Sequence, residues 1–301
     1  MKFFLFIFLA LFGFSATGAN NHPYTTIHIW NGVCNGLGRV TMHYYHVDPT
    51  IKDRGISVIV CPGGSYHYLG MKNEGSEVAG WLNSNGIDCY VLSYRTAGYL
   101  ACVLPYRRVF RGVRFPDMFQ DVQRAIELVR EREGSGRIVG VMGFSAGGHL
   151  SMSSAEYCDT DYLLPLGIKP DVSLRPDFVA PIYPVVTMTQ EKYVHKRSRY
   201  GLIGEGSGMK PALLDSLSLE KHVKPQCPPV FLMNCVDDQK VDYHNSVMLD
   251  SALVANNVKH TYIQYKKGGH GFGAYDPWAT SETIHWKAEF IRWLDDNFPN
   301  Q

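Results

Sequence analysis

The stretch Gly143-Phe144-Ser145-Ala146-Gly147-Gly148 restricts the fold more than any other part of this 301-residue chain. An apolar run, Ile138 to Met142, leads into it, and a helix-forming stretch, His149 to Tyr157, follows. Strand, tight turn and helix form the setting of a nucleophile elbow, where the turn strains a serine backbone and lifts its hydroxyl clear of the sheet edge. Gly143 and Gly147 stand two residues to either side of Ser145, where side chains would collide as strand and helix close on one another. G-x-S-x-G alone is a loose pattern that an ordinary Gly/Ser turn also satisfies. The flanking strand and helix, with the partners downstream, favour a nucleophile.

The rest of the chain supplies a sheet for that turn. Thr25 to Trp30 and Arg39 to Val47 alternate apolar and polar residues, the period of half-exposed antiparallel strands at a sheet edge. Ile56 to Cys61 is evenly apolar, as expected of a strand covered on both faces. Further strands are expected at Cys89 to Tyr94, Phe178 to Tyr183, Val230 to Asn234 and Thr261 to Tyr265. Helices are expected at Glu74 to Asn85, Phe119 to Arg132, Asn245 to Ala255 and Ser281 to Asn297. This alternation predicts an α/β fold: a mostly parallel central sheet, helices on both faces, and antiparallel N-terminal edge strands. Residues 20–301 read as one catalytic domain, without repeat or linker. Two stretches break the alternation, Thr96 to Pro116 and Tyr193 to Leu214, and long loops in compact domains are candidate pocket walls.

Composition removes several function classes. Lys plus Arg number 29 and Asp plus Glu 28, so no global field suits nucleic acid. Met1-Lys2, the apolar run Phe3 to Phe14 and the small residues Ser15 to Ala19 read as a signal peptide over residues 1–19, a permanent anchor being the alternative. The expectation is an exported protein, periplasmic or secreted, with no stable membrane insertion once the leader is removed. Seven cysteines, Cys34, Cys61, Cys89, Cys102, Cys158, Cys227 and Cys235, leave an odd thiol in any intramolecular pairing. They form no Cys-x-x-Cys and no Cys/His cluster of zinc spacing, and no catalytic metal or other cofactor is expected. Dinucleotide and phosphate loops are disfavoured, because G-x-G-x-x-G and G-x-x-x-x-G-K-[ST] are both absent.

A serine hydroxyl needs a base to take its proton, and the base needs a third group to orient it. His270, in Gly268-Gly269-His270-Gly271-Phe272-Gly273 after the last expected strand, is the candidate base. The acid lies after Val230 to Asn234, where Asp237 and Asp238 are adjacent and position alone leaves either open. Backbone N–H groups of Gly64 and Ser65, after the strand Ile56 to Cys61, and of Ala146 are candidates for an oxyanion hole.

Cys61-Pro62-Gly63-Gly64-Ser65-Tyr66, Glu74-Gly75, Leu92-Ser93-Tyr94-Arg95, Gly143 to His149, Asp237-Asp238 and Gly269-His270-Gly271-Phe272 occur in one order. In that order they resemble secreted esterases similar to acetyl xylan esterase and bacterial feruloyl esterase, of the α/β-hydrolase superfamily. The resemblance implies a triad of Ser145, Asp238 and His270. It favours Asp238 because the family pattern sets the acid three residues before a Val, here Val241. Ser65 stands where a third Gly is usual, Asp242 where Pro often follows the Val, and Thr96 to Pro116 is longer than usual.

The resulting expectation is a metal-free serine carboxylester hydrolase that removes acetyl or feruloyl groups from plant polysaccharides or their oligosaccharides. A serine exopeptidase of prolyl-oligopeptidase-like type, a general small-ester esterase or lipase, and a non-catalytic binding protein on the same fold are the competing readings. Tyr66, Arg107 and Arg111 are the candidate substrate contacts. Arg107, Arg108, Arg111 and Arg114 together suit either an acidic sugar such as a uronate or a solvated loop face.

Overall fold

The computed structural model describes residues 23–33, 40–102, 112–205 and 209–299. The expected leader, Cys34, Arg39, Arg107, Arg108 and Arg111 lie outside the described residues. Eight strands form one sheet: β1 (Thr25–His28), β2 (Thr41–Tyr45), β3 (Ile56–Cys61), β4 (Asp88–Ser93), β5 (Ile138–Phe144), β6 (Phe178–Ile182), β7 (Val230–Cys235) and β8 (His260–Tyr265). Their spatial order is β1-β2-β4-β3-β5-β6-β7-β8. β1 pairs with β2, and β2 with β4, antiparallel; every later pairing is parallel. The C-terminal ends of β3, β5, β6, β7 and β8 therefore open on one edge, where the loops that follow them gather.

The strand period sorts side chains to two cores. On β3, Ile59 and Cys61 face one apolar cluster while Val58 and Val60 face the other, and all six residues are buried. Each such branched side chain withdrawn from water contributes roughly 1.5–3 kcal/mol. Met118, Val122, Ile126 and Val129 of α2 (Asp117–Glu133) lie in the first cluster, as does Leu150 of α3 (Ala146–Glu156). Val78 and Leu82 of α1 (Glu77–Ser84) join Phe290, Trp293 and Leu294 of the C-terminal helix, Trp286–Asn297, in the second. Helices thus cover both faces.

Three regions differ from the sequence expectation. The stretch Tyr193 to Leu214 holds two helices, α4 (Lys196–Ile203) and α5 (Pro211–Ser216). α4 buries Ser198 and Arg199 beside Leu202 and Ile203, so no clean apolar stripe marks it. The helix expected from Glu74 begins with a π-helical turn, Lys72–Ser76, that leads into α1. Further along lie α6 (His244–Ala255) and α7, the C-terminal Trp286–Asn297; a 3₁₀ turn, Thr283–His285, occupies the start of the region expected to be helical from Ser281. No described helix is long and apolar enough to cross a membrane.

Candidate active site

Ser145 sits between β5 and α3 with φ 56° and ψ −117°. Positive φ at a non-glycine costs about 1–3 kcal/mol, and the surroundings hold it there. Its N–H donates to the Ile182 carbonyl at 3.0 Å, and its own carbonyl accepts from His149 and Val185 N–H, each at 3.1 Å. A Cβ on Gly143 would lie 1.9 Å from the Gly147 carbonyl oxygen, and one on Gly147 would lie 1.9 Å from that of Cys61. Only glycine at both places lets strand and helix approach closely enough to set the turn.

The loops after β7 and β8 bring the partners to the serine. His270 Nε2 is 2.8 Å from Ser145 Oγ, and its Nδ1 is 2.6 Å from Asp238 Oδ2. A carboxylate at Nδ1 keeps the proton on that nitrogen, which leaves Nε2 as the acceptor of the serine proton. Asp238 is held in turn: its Oδ1 accepts from the N–H of Lys240 at 2.8 Å and of Val241 at 3.0 Å. Its side chain is 1% exposed, against 14% for His270. Asp237 points elsewhere, its Oδ1 accepting from the N–H of Gly268 at 2.9 Å and of Gly269 at 2.8 Å. It fastens the loop that carries His270.

After β3 the backbone turns with positive φ at Gly64, Ser65 and Tyr66. Among the described residues, no protein acceptor takes the N–H of Gly64, Ser65 or Ala146. Gly64 and Ser65 line the same cleft of about 730 Å³ as Ser145 and His270. Gly63 packs against the elbow, since a Cβ there would lie 2.9 Å from Ser145 Cβ.

Tyr66 does not line the cleft. Its φ of 59° carries the ring away from the cleft into the core, where it is fully buried and its hydroxyl meets His149 Nδ1 at 2.8 Å. The expectation of substrate contact at Tyr66 is thus corrected. Arg114, the described member of the arginine group, reaches the carbonyl oxygens of Val113 at 2.9 Å and Gly201 at 3.4 Å and braces α4 rather than the cleft.

Three residues at the site were not anticipated in their roles. Glu74, fully inside the protein, accepts from Gly63 N–H at 2.8 Å and from the Tyr183 hydroxyl at 2.9 Å. Burial pushes its carboxyl above the usual range, while His270 and these hydrogen bonds pull the other way. Tyr183, just past β6, accepts from Gly273 N–H at 2.9 Å, and its ring centroid lies 4.7 Å from that of His270. His195 lines the cleft with Nδ1 2.7 Å from Ser198 Oγ. Its pKa is lowered to about 4, first by burial and then by the charges of His270 and Arg197, so it is neutral at pH 7. Glu74-Gly75 was visible as a motif and Tyr183 as the end of a strand; their meeting was not.

A family model described as BD-FAE matches residues 58–253. The chain belongs to that family. It is 30% identical over 227 residues to the acetylxylan esterase of Xylanibacter ruminicola, an alignment spanning 73% of this chain and 41% of that protein. It is also 30% identical over 238 residues to endo-1,4-beta-xylanase B of Butyrivibrio fibrisolvens, spanning 76% of this chain and 34% of that one. The chain therefore spans less than half the length of these curated relatives. Among solved structures it resembles an acetyl ester-xyloside bifunctional hydrolase from Caldicellulosiruptor lactoaceticus, with TM-score 0.74 and 28% identity over 92% of this chain and 98% of that one. The carboxylesterase Cest-2923 from Lactobacillus plantarum shares the fold at TM-score 0.67 and 18% identity, over 91% of this chain and 96% of that one. The fold is that of the α/β-hydrolases, as the sequence order of motifs implied.

Proposed function

We propose that this chain is an exported serine esterase that removes acyl groups from saccharides, with Ser145 as nucleophile, His270 as base and Asp238 as its orienting acid. The reading rests on one observation, the imidazole of His270 bridging Ser145 Oγ at 2.8 Å and Asp238 Oδ2 at 2.6 Å. Ser145 Oγ attacks the ester carbonyl as its proton passes to His270 Nε2, and the Asp238 carboxylate stabilises the imidazolium. The tetrahedral oxyanion is received by the N–H groups of Gly64, Ser65 and Ala146, one such donor being worth about 3 kcal/mol. His270 then returns the proton to the departing sugar oxygen, and water resolves the acyl-enzyme by the same route. The acetylxylan esterase and the acetyl ester-xyloside hydrolase among the relatives favour acetyl over feruloyl as the group removed, and a xylan-type saccharide as its carrier. Export is inferred from the leader-like residues 1–19, and residues 20–301 are taken as the catalytic domain.

The test is hydrolysis of acetylated and feruloylated xylo-oligosaccharides, an activated acetate ester and aminoacyl nitroanilides by the purified protein and by Ser145→Ala. The expected result is release of acetate that Ser145→Ala abolishes. Full acetate release by that variant would refute the assignment, and turnover of the nitroanilides alone would favour an exopeptidase.

A further inference from the structure

Among the described residues three cations, Lys72, Arg197 and Lys240, line the cleft around Ser145. Each is exposed, and they come from three separate segments: the turn before α1, the first turn of α4 and the loop after Asp238. Among the described residues, no carboxylate forms an ion pair with any of them, whereas neighbouring Lys196 and Arg199 both pair with Glu191. Among the described residues the one carboxylate lining the cleft, Glu74, is buried with both oxygens occupied by Gly63 and Tyr183. Among the described residues lining the cleft, cations outnumber anions, although the whole chain carries 29 basic and 28 acidic residues.

The cations are set among aromatic faces. Lys72 Nζ lies 4.9 Å from the Tyr275 ring centroid, and the Arg197 guanidinium 5.7 Å from that of Tyr68. Trp278 and Tyr68 are 58% and 42% exposed on the same cleft, flat apolar surfaces of the kind that pockets present to ligand rings. His195 lines the same cleft as Arg197 and Lys240, and because burial lowers its pKa to about 4 it is neutral at pH 7 and adds no charge of its own.

We infer that the cleft selects acylated saccharides bearing a negative charge, which Arg197, Lys240 and Lys72 attract while the aromatic faces take the sugar rings. This rests on the ester-hydrolase reading above and narrows its substrate class. The partner chemistry is a sugar carboxylate or sulfate beside the acylated residue. The cationic residues differ from the four arginines of Thr96 to Pro116 that the sequence first suggested for such a role.

The experiment compares kcat/KM for an acetylated hexuronic-acid oligosaccharide, its carboxyl-reduced neutral counterpart and a sulfated neutral counterpart, at low and high salt. The charged substrates should be preferred by about fivefold or more at low salt, through KM, with the preference shrinking as salt rises. An advantage for the uronate alone, or for the sulfated substrate as well, upholds the inference and separates a carboxylate from a general anion. The double variant Arg197→Glu, Lys240→Glu should invert the order. Equal kcat/KM for charged and neutral substrates at both salt levels overturns the inference, and if an activated acetate ester is still hydrolysed it does so without touching the esterase reading. Failure on that simple ester removes both.

Discussion

Glu74 and Tyr183, 109 residues apart in the chain, share a hydrogen bond of 2.9 Å beneath the cleft. Through it the two loops that must face each other become one unit. The Glu74 carboxylate also holds Gly63, at the start of the turn after β3, and the Tyr183 hydroxyl also holds Gly273, in the His270 loop. A second tie joins the same loops, from Ala274 N–H to the Asn73 carbonyl at 3.0 Å.

Glu74→Gln keeps the shape of that side chain but offers an NH₂ to one of two donors, so one contact is lost. We expect kcat to fall about tenfold with KM changed little, because leaving a buried donor unpaired costs roughly 1–3 kcal/mol and displaces the groups around the transition state. Steady-state kinetics on an activated acetate ester decide it. An unchanged kcat would assign Glu74 to packing alone.

The adjacent aspartates should separate cleanly. Asp238→Asn presents an amide to His270 and disturbs its tautomer, with an expected loss of about 10³–10⁴ in kcat, the scale seen for the corresponding change in a serine-protease triad. Asp237→Ala removes the acceptor of Gly268 and Gly269 at an exposed position where water can replace it, and should cost under about tenfold. Comparable losses in the two variants would contradict the geometry.

Tyr66→Phe tests whether Tyr66 serves the core and not the substrate. His149 Nε2 faces the Leu217 carbonyl at 2.9 Å, so Nδ1 is the acceptor of the Tyr66 hydroxyl, and burial lowers this imidazole's pKa to about 4. Removing the hydroxyl leaves Nδ1 buried and unpaired, at about 1–3 kcal/mol of stability. Denaturant unfolding should show that loss while KM stays put. A raised KM with unchanged stability would return Tyr66 to the substrate.

Glu156 should make stability fall as pH rises. It is 2% exposed, neither oxygen has a partner among the described residues, and burial followed by the nearby Glu220 charge raises its pKa well above the ordinary value. A raised carboxyl binds its proton more tightly folded than unfolded. Its favourable contribution is therefore complete below the unfolded pKa of 4.5 and is lost on the way up to the folded one. Glu156→Gln should raise the melting temperature at pH 8, with the gain disappearing below pH 4.5. A pH-independent difference between the two proteins would remove this carboxyl as the cause.

The centre of the sheet was legible because β3, β5, β6 and β7 are short, largely apolar and separated by clear turns; Ile56 to Cys61 was placed residue for residue. The elbow and the His270 loop were legible because glycine spacing records close backbone approach. α4 was not, since it buries an arginine and a serine where a periodic apolar stripe is sought, Arg199 Nη1 donating to Met188 O and to Glu191. Nor were the contacts of Glu74, Tyr183 and His195, which depend on crossovers between distant strands. Asp238 was separated from Asp237 by family pattern; spatially the difference is one residue's turn toward β8 or toward the imidazole.

Every residue of α3 is buried. A helix walled in on all sides anchors the serine to the deepest part of the protein, and any exchange along it must be matched by neighbours above and below. Lys72, Arg197 and Lys240 stand in water on unconnected segments. On the proposed function, preference for a new substrate can therefore be acquired one surface exchange at a time, with the Ser145 hydroxyl left where it is.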